Sequence, residues 1–147
     1  MAASIRQILT NAASSNPDDI WLVTPETDTS FSWQDTHKRA ETTACYLQGA
    51  GLSKGASVAI AAPNGAAASF AFLGVVYGGY RATPLNLVAG IKTLAFVLNH
   101  SKAEVILCAN DSRALVDEAV ATLIEKGEQA PRIIPMDVDN GPRWAET

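Results

Sequence analysis

The sequence predicts an α/β fold in three layers, a mostly parallel sheet with flanking helices on both faces. Three observations predict it. The apolar runs SVAIAA (57–62), EVILC (104–108) and RIIPM (132–136) are continuous, the pattern of strands buried on both faces. Helical stretches with one apolar face separate them, so that strand–helix–strand recurs three times and implies parallel pairing. The 147 residues, 48% of them hydrophobic, are enough for the core of one ordinary domain.

The elements follow in order. Ile5, Ile8, Leu9 and Ala12 repeat at helical spacing and predict a short amphipathic helix lying on the fold. Its stretch, MAASIRQILTNAASSNP, has no apolar core after a basic start and does not read as a secretory signal. IWLVT (20–24) is a strand, and after the polar turn PETDTS a partnering strand ends at Phe31. Ser32 is placed to cap the next helix, with the Asp35 carboxylate near its positive end. That helix carries Trp33, His37, Ala40, Ala44 and Leu47 on one face, while Asp35, Lys38, Arg39 and Glu41 point mostly away. It stops in GAGLSKG, where Gly49 or Gly51 serves as the C-terminal cap.

Beyond the strand at 57–62, Pro63-Asn64-Gly65 opens a helix that runs to about Tyr77. A short strand, 81–83, precedes Pro84, which holds Thr83 extended and delivers Leu85 and Asn86 to the carboxyl edge of the sheet. Open α/β sheets bind ligands at that edge. The helix at 90–100 turns Ile91, Leu94, Ala95 and Leu98 inward, and that at 112–126 turns Leu115, Val116, Ala119, Val120 and Leu123 inward before a Gly127 cap. After Met136 the tail DVDNGPRWAET has no periodicity and reads as a connection leading elsewhere.

Composition excludes several functions. With a net charge of -4 and no cationic run longer than Lys38-Arg39, the chain has no footprint for nucleic acid. The most apolar window, Val58 to Tyr80, is broken by Pro63, Asn64 and glycines, and falls short of the ~20 continuous apolar residues of a transmembrane segment. Cys45 and Cys108 match no zinc spacing and read as buried free thiols, which predicts a reducing, cytoplasmic setting. Gly49, Gly51 and Gly55 follow a helix and precede a strand, the reverse of a dinucleotide fingerprint, and no G-x-x-x-x-G-K-[ST] occurs. His37 and His100 lack any nucleophile elbow and read as structural; Asp18-Asp19 and Asp117-Glu118 read as solvated surface.

The stretch 65–77, GAAASFAFLGVVY, is the most informative. Its bulky side chains spread around much of the helix, while Ala67, Ala71, Gly74 and Gly78 form a flat stripe that admits another backbone. A helix apolar all round is buried on all sides. The expectation is either self-association through helix 65–77 or further protein covering it.

The chain resembles the opening of AMP-forming acyl-CoA synthetases, within the superfamily of adenylate-forming enzymes. The resemblance rests on Phe31-Ser32-Trp33-Gln34-Asp35, on Lys54-Gly55…Val58-Ala59-Ile60 with Pro63-Asn64, and on the corner Tyr77-Gly78-Gly79-Tyr80-Arg81-Ala82-Thr83-Pro84-Leu85-Asn86. Ala56 stands where the family usually has an acid, Trp33 where it has tyrosine, and Tyr77 and Gly78 where it has lysine and alanine. The resemblance implies an N-terminal α/β subdomain over 1–136 and a connecting tail, 137–147, toward a remainder of the same polypeptide. It further implies ATP, Mg and CoA as cofactors of a full-length ligase, acting on a carboxylic, fatty acid. The family's phosphate loop, ribose-binding aspartate and catalytic lysine have no counterpart here. No residue of this chain is therefore assigned a catalytic, cofactor-binding or metal role, and the chain alone is expected to be inactive. The competing reading is a stand-alone flavodoxin-like binding or regulatory module; a small hydrolase or transferase would need a nucleophile–base pair that the sequence lacks.

Overall fold

A computed structural model describes residues 2–137 and 141–142. Helix α1 (Ile5–Ser15) is followed by an antiparallel hairpin, β1 (Ile20–Thr24) and β2 (Thr29–Ser32), and by α2 (Trp33–Gly49). The chain then alternates through β3 (Ser57–Ala61), α3 (Ala66–Tyr77), β4 (Arg81–Pro84), α4 (Ile91–His100), β5 (Ala103–Ala109), α5 (Arg113–Glu125) and β6 (Arg132–Asp137). The sheet order is β4-β3-β5-β6-β7, with β3, β4, β5 and β6 parallel. The last strand, β7 (Gly141–Pro142), pairs antiparallel with the end of β6. The sequence gives no sign of it, because a two-residue strand has no periodicity to read. The rest of the expected tail, 138–140 and 143–147, lies outside the described residues.

The two central strands explain the three layers. Every residue of β3 is buried, and alternate side chains enter different cores. Val58 and Ile60 join Val105, Leu107, Leu47, Ala71 and Val75 beneath α2 and α3. Ala59 and Ala61 join Ile106, Cys108, Leu94, Leu98 and Val116 beneath α4 and α5. Small residues on the second face of β3 let those two helices lie close, while β-branched residues fill the first.

The ends of α2 follow from the sequence. Ser32 Oγ accepts from the Asp35 N–H at 3.1 Å, and Asp35 Oδ2 accepts from the Ser32 N–H at 3.2 Å, a complete capping box. At the other end Gly51 takes φ +79°, the left-handed conformation a helix stop requires. Ser32→Ala is expected to lower stability by about 0.5–2 kcal/mol. Urea denaturation would check this, with an unchanged m-value showing that the loss is local to the cap.

The stripe on α3 serves this chain's own packing. Gly74 faces Thr43 of α2 and Gly78 faces Ala44, so the close backbone approach predicted for a partner is made by α2. Self-association through the stripe thus loses its surface. The other alternative, further protein covering α3, keeps a surface on the remaining side of the helix. Ala67, Phe70, Ala71, Gly74 and Val75 are buried, but Phe72 is 44% exposed and Leu73 and Val76 are half-buried, because no element of the described residues covers that side. Two further expectations change. Ile5 and Ile8 of α1 are exposed, and Leu9 alone in that helix is buried. Arg39 does not point away: its guanidinium lies 5.1 Å from the Phe31 ring centre and 4.9 Å from that of Phe70.

Candidate functional site

A parallel sheet built by stepping from β3 out to β4 and back across to β5 has a switch point between β3 and β5. Loops leave the two strand ends there in opposite directions and open a crevice at the carboxyl edge. Such a crevice is present, about 380 Å³, between Pro63-Asn64-Gly65 after β3 and Asn110-Asp111 after β5, with Asp137 at its far side. Next to it, sharing Asn64 and Gly65, lies a cleft of about 560 Å³ between α3 and the end of β4, walled by Trp21, Phe72, Leu73, Pro84 and Leu85. The Pro84 corner does what the sequence predicts. Leu85 donates its N–H to Ile60 O at 2.9 Å and is buried, whereas Asn86 is exposed and its Oδ1 accepts from the Val88 N–H at 3.2 Å.

The aromatic side of the cleft is held by a cluster that links hairpin, α2 and α3. Phe31 meets Phe70 edge-on with ring centres 4.9 Å apart, and Trp21 lies 6.1 Å from Phe70 and 5.8 Å from Trp33. The Arg39 guanidinium over both phenylalanine rings adds a cation–π contact. Sequence reading missed Trp21 as a wall of this edge, since its strand is short and belongs to a separate hairpin. It also missed Asn110 and Asp111. Their signal was present: a polar pair directly after the buried run EVILCA marks the carboxyl end of a central strand.

Electrostatics separate the two cavities by chemistry. The crevice presents the Asp111 and Asp137 side chains, and among the described residues no Lys or Arg lines either cavity. Among the described residues, no three His, Cys, Asp or Glu side chains gather in a group that could hold a metal ion. A larger groove of about 780 Å³ runs along the exposed side of α2 to Arg132, at the start of β6, but size alone does not make it the site. It lies away from the carboxyl ends of the strands, where the fold converges its loops.

The histidines have structural partners. His37 Nε2 lies 3.2 Å from Tyr77 Oη and 3.3 Å from Thr10 Oγ1, tying α1 and α3 to α2. Arg6 completes this junction: its Nε donates to Tyr77 O at 3.1 Å and its guanidinium covers the Tyr77 ring. His100 ends α4 and stacks on Phe96. Asp117 pairs with Arg113 at 2.9 Å on the exposed side of α5.

Both thiols are free, but only Cys108 is buried; Cys45 is exposed on the outer side of α2, a correction to the sequence reading. Burial pushes the Cys108 thiol up to about 11 from 9.0, against a smaller opposing pull from Arg113. The sign follows: the unfolded chain ionises this thiol first, so its contribution is intact below pH 9 and is lost as pH rises toward about 11. At pH 8, iodoacetamide is expected to label Cys45 and leave Cys108 untouched until urea is added, as read by peptide mass spectrometry.

Fold and edge together define a doubly wound α/β domain that presents an apolar cleft beside a polar crevice at the carboxyl ends of its parallel strands. The chain belongs to the AMP-binding enzyme family, whose model matches residues 9–146. It is 30% identical over 107 residues to the 2-methylpropanoate–CoA ligase of Humulus lupulus, covering 73% of this chain and 19% of that protein. It is 30% identical over 96 residues to the peroxisomal acetate/butyrate–CoA ligase of Arabidopsis thaliana, covering 65% of this chain and 17% of the relative. The chain therefore spans about a fifth of the length of these relatives. The same fold occurs in the N-terminal domain of FACL13 from Mycobacterium tuberculosis, with a TM-score of 0.79, 24% identity, and coverage of 91% of this chain and 34% of that one. A benzoate CoA ligase from Burkholderia xenovorans LB400 shares it with a TM-score of 0.82 at 16% identity, over 99% of this chain and 28% of that one. No helix among the described residues is long and apolar enough to cross a membrane.

Proposed function

We propose that this chain is the N-terminal α/β part of an acid–thiol ligase that activates a carboxylic acid with ATP and transfers the acyl group to CoA. One observation carries the reading: the family match runs through nearly the whole chain, and the relatives named above are CoA ligases. In this reading the carboxylate displaces pyrophosphate from ATP to give an acyl-adenylate, and the CoA thiol then displaces AMP. The groups that hold the triphosphate and its magnesium are proposed to lie outside this chain, because the sequence carries no counterpart of the family's phosphate loop.

The chain's own part is to build a rigid edge. Its fixed corner at Pro84 and its aromatic cluster position a surface on which the remainder of the polypeptide would sit. The fatty acid expected from the sequence is narrowed here to a short aliphatic acid, since the relatives' names specify 2-methylpropanoate and acetate or butyrate. A cytoplasmic location is supported by the two free thiols, although one relative is peroxisomal.

The test uses the full-length protein that carries this sequence. Pyrophosphate release is expected to depend on the acid, and CoA thioester is expected to accumulate with acetate, butyrate or 2-methylpropanoate in preference to palmitate. The 147-residue chain alone is expected to release none. Absence of acid-dependent release from the full-length protein would overturn the reaction, and robust release by the chain alone would overturn its role as a part.

A further inference from the structure

We draw no further inference here: the strongest candidate, the groove of about 780 Å³ along the outer side of α2 between Lys38, Cys45, Tyr46 and Arg132, is lined by exposed and half-buried side chains only, and nothing in the structure shows what covers it.

Discussion

Phe70→Ala is expected to destabilise the chain by about 3–5 kcal/mol, the range for removing a buried aromatic ring. The ring is 3% exposed and touches three elements at once: Phe31 of β2, Trp21 of β1 and the Arg39 guanidinium of α2. Its loss leaves a cavity and also removes what the hairpin rests on. Stability of the whole domain is a small difference between large terms, so a loss of this size is a large fraction of it. The natural control is two residues away. Phe72 on the same helix is 44% exposed, so Phe72→Ala in this chain is expected to stay within about 0.5 kcal/mol of the parent. Urea denaturation followed by tryptophan fluorescence reads both variants, since Trp21 and Trp33 report on the cluster. Equal losses for the two variants would show that the division of α3 into a packed and an open side is wrong. Repeating Phe72→Ala in the full-length protein makes the comparison informative about cover: a cost appearing only there means that downstream protein seats on this side.

How much of this was legible in the sequence depends on the range of the interactions involved. The strands at 57–62 and 104–108 were readable because burial on both faces leaves an unbroken apolar run, and that at 132–136 because its apolar run is continuous although one face is only half-buried. The cap at Ser32 was readable because its partner, Asp35, is three residues away. The Pro84 corner was readable for the same reason: proline acts on its immediate neighbours. What failed involves contacts between distant residues. Arg39 looks like a surface charge on a helical wheel, but it lies over rings contributed by Phe31 and Phe70. Cys45 follows Ala44 in an apolar stretch and yet is exposed, because one step along a helix turns the side chain by about 100°. The small-residue stripe of α3 was read correctly as a place for close approach, but its occupant was not, since nothing local distinguishes α2 of the same chain from a second molecule. The edge was legible only in part. Asn64, Pro84 and Leu85 stand in local motifs, whereas the meeting of Asn64 with Asn110, Asp111 and Asp137 depends on the order β4-β3-β5-β6, which apolar runs do not specify.

The α2–α3 contact gives the second large effect, and its sign is not the one helix propensity suggests. Alanine is favoured over glycine by about 0.8–1.0 kcal/mol within a helix, so Gly74→Ala should stabilise α3 if the site were open. It is not open. A methyl group at Gly74 would lie 2.5 Å from Thr43 Cγ2 and 3.0 Å from Thr43 Oγ1, well inside van der Waals contact, and Thr43 is itself buried. Overpacking of this kind costs about 1–3 kcal/mol. The packing term outweighs propensity, so Gly74→Ala is expected to destabilise by up to about 2 kcal/mol, and Gly74→Leu by more, as α2 is levered away from α3. The partner substitution discriminates between explanations. Thr43→Ala keeps the β-carbon, which is among the atoms in conflict, and should recover only part of the loss. Thr43→Gly removes that carbon and should couple to Gly74→Ala by about 0.5–3 kcal/mol in a double-mutant cycle. Additive effects in that cycle would mean that the two helices do not meet through these residues. The stripe would then be free, as the sequence alone allowed, to receive another copy of the chain.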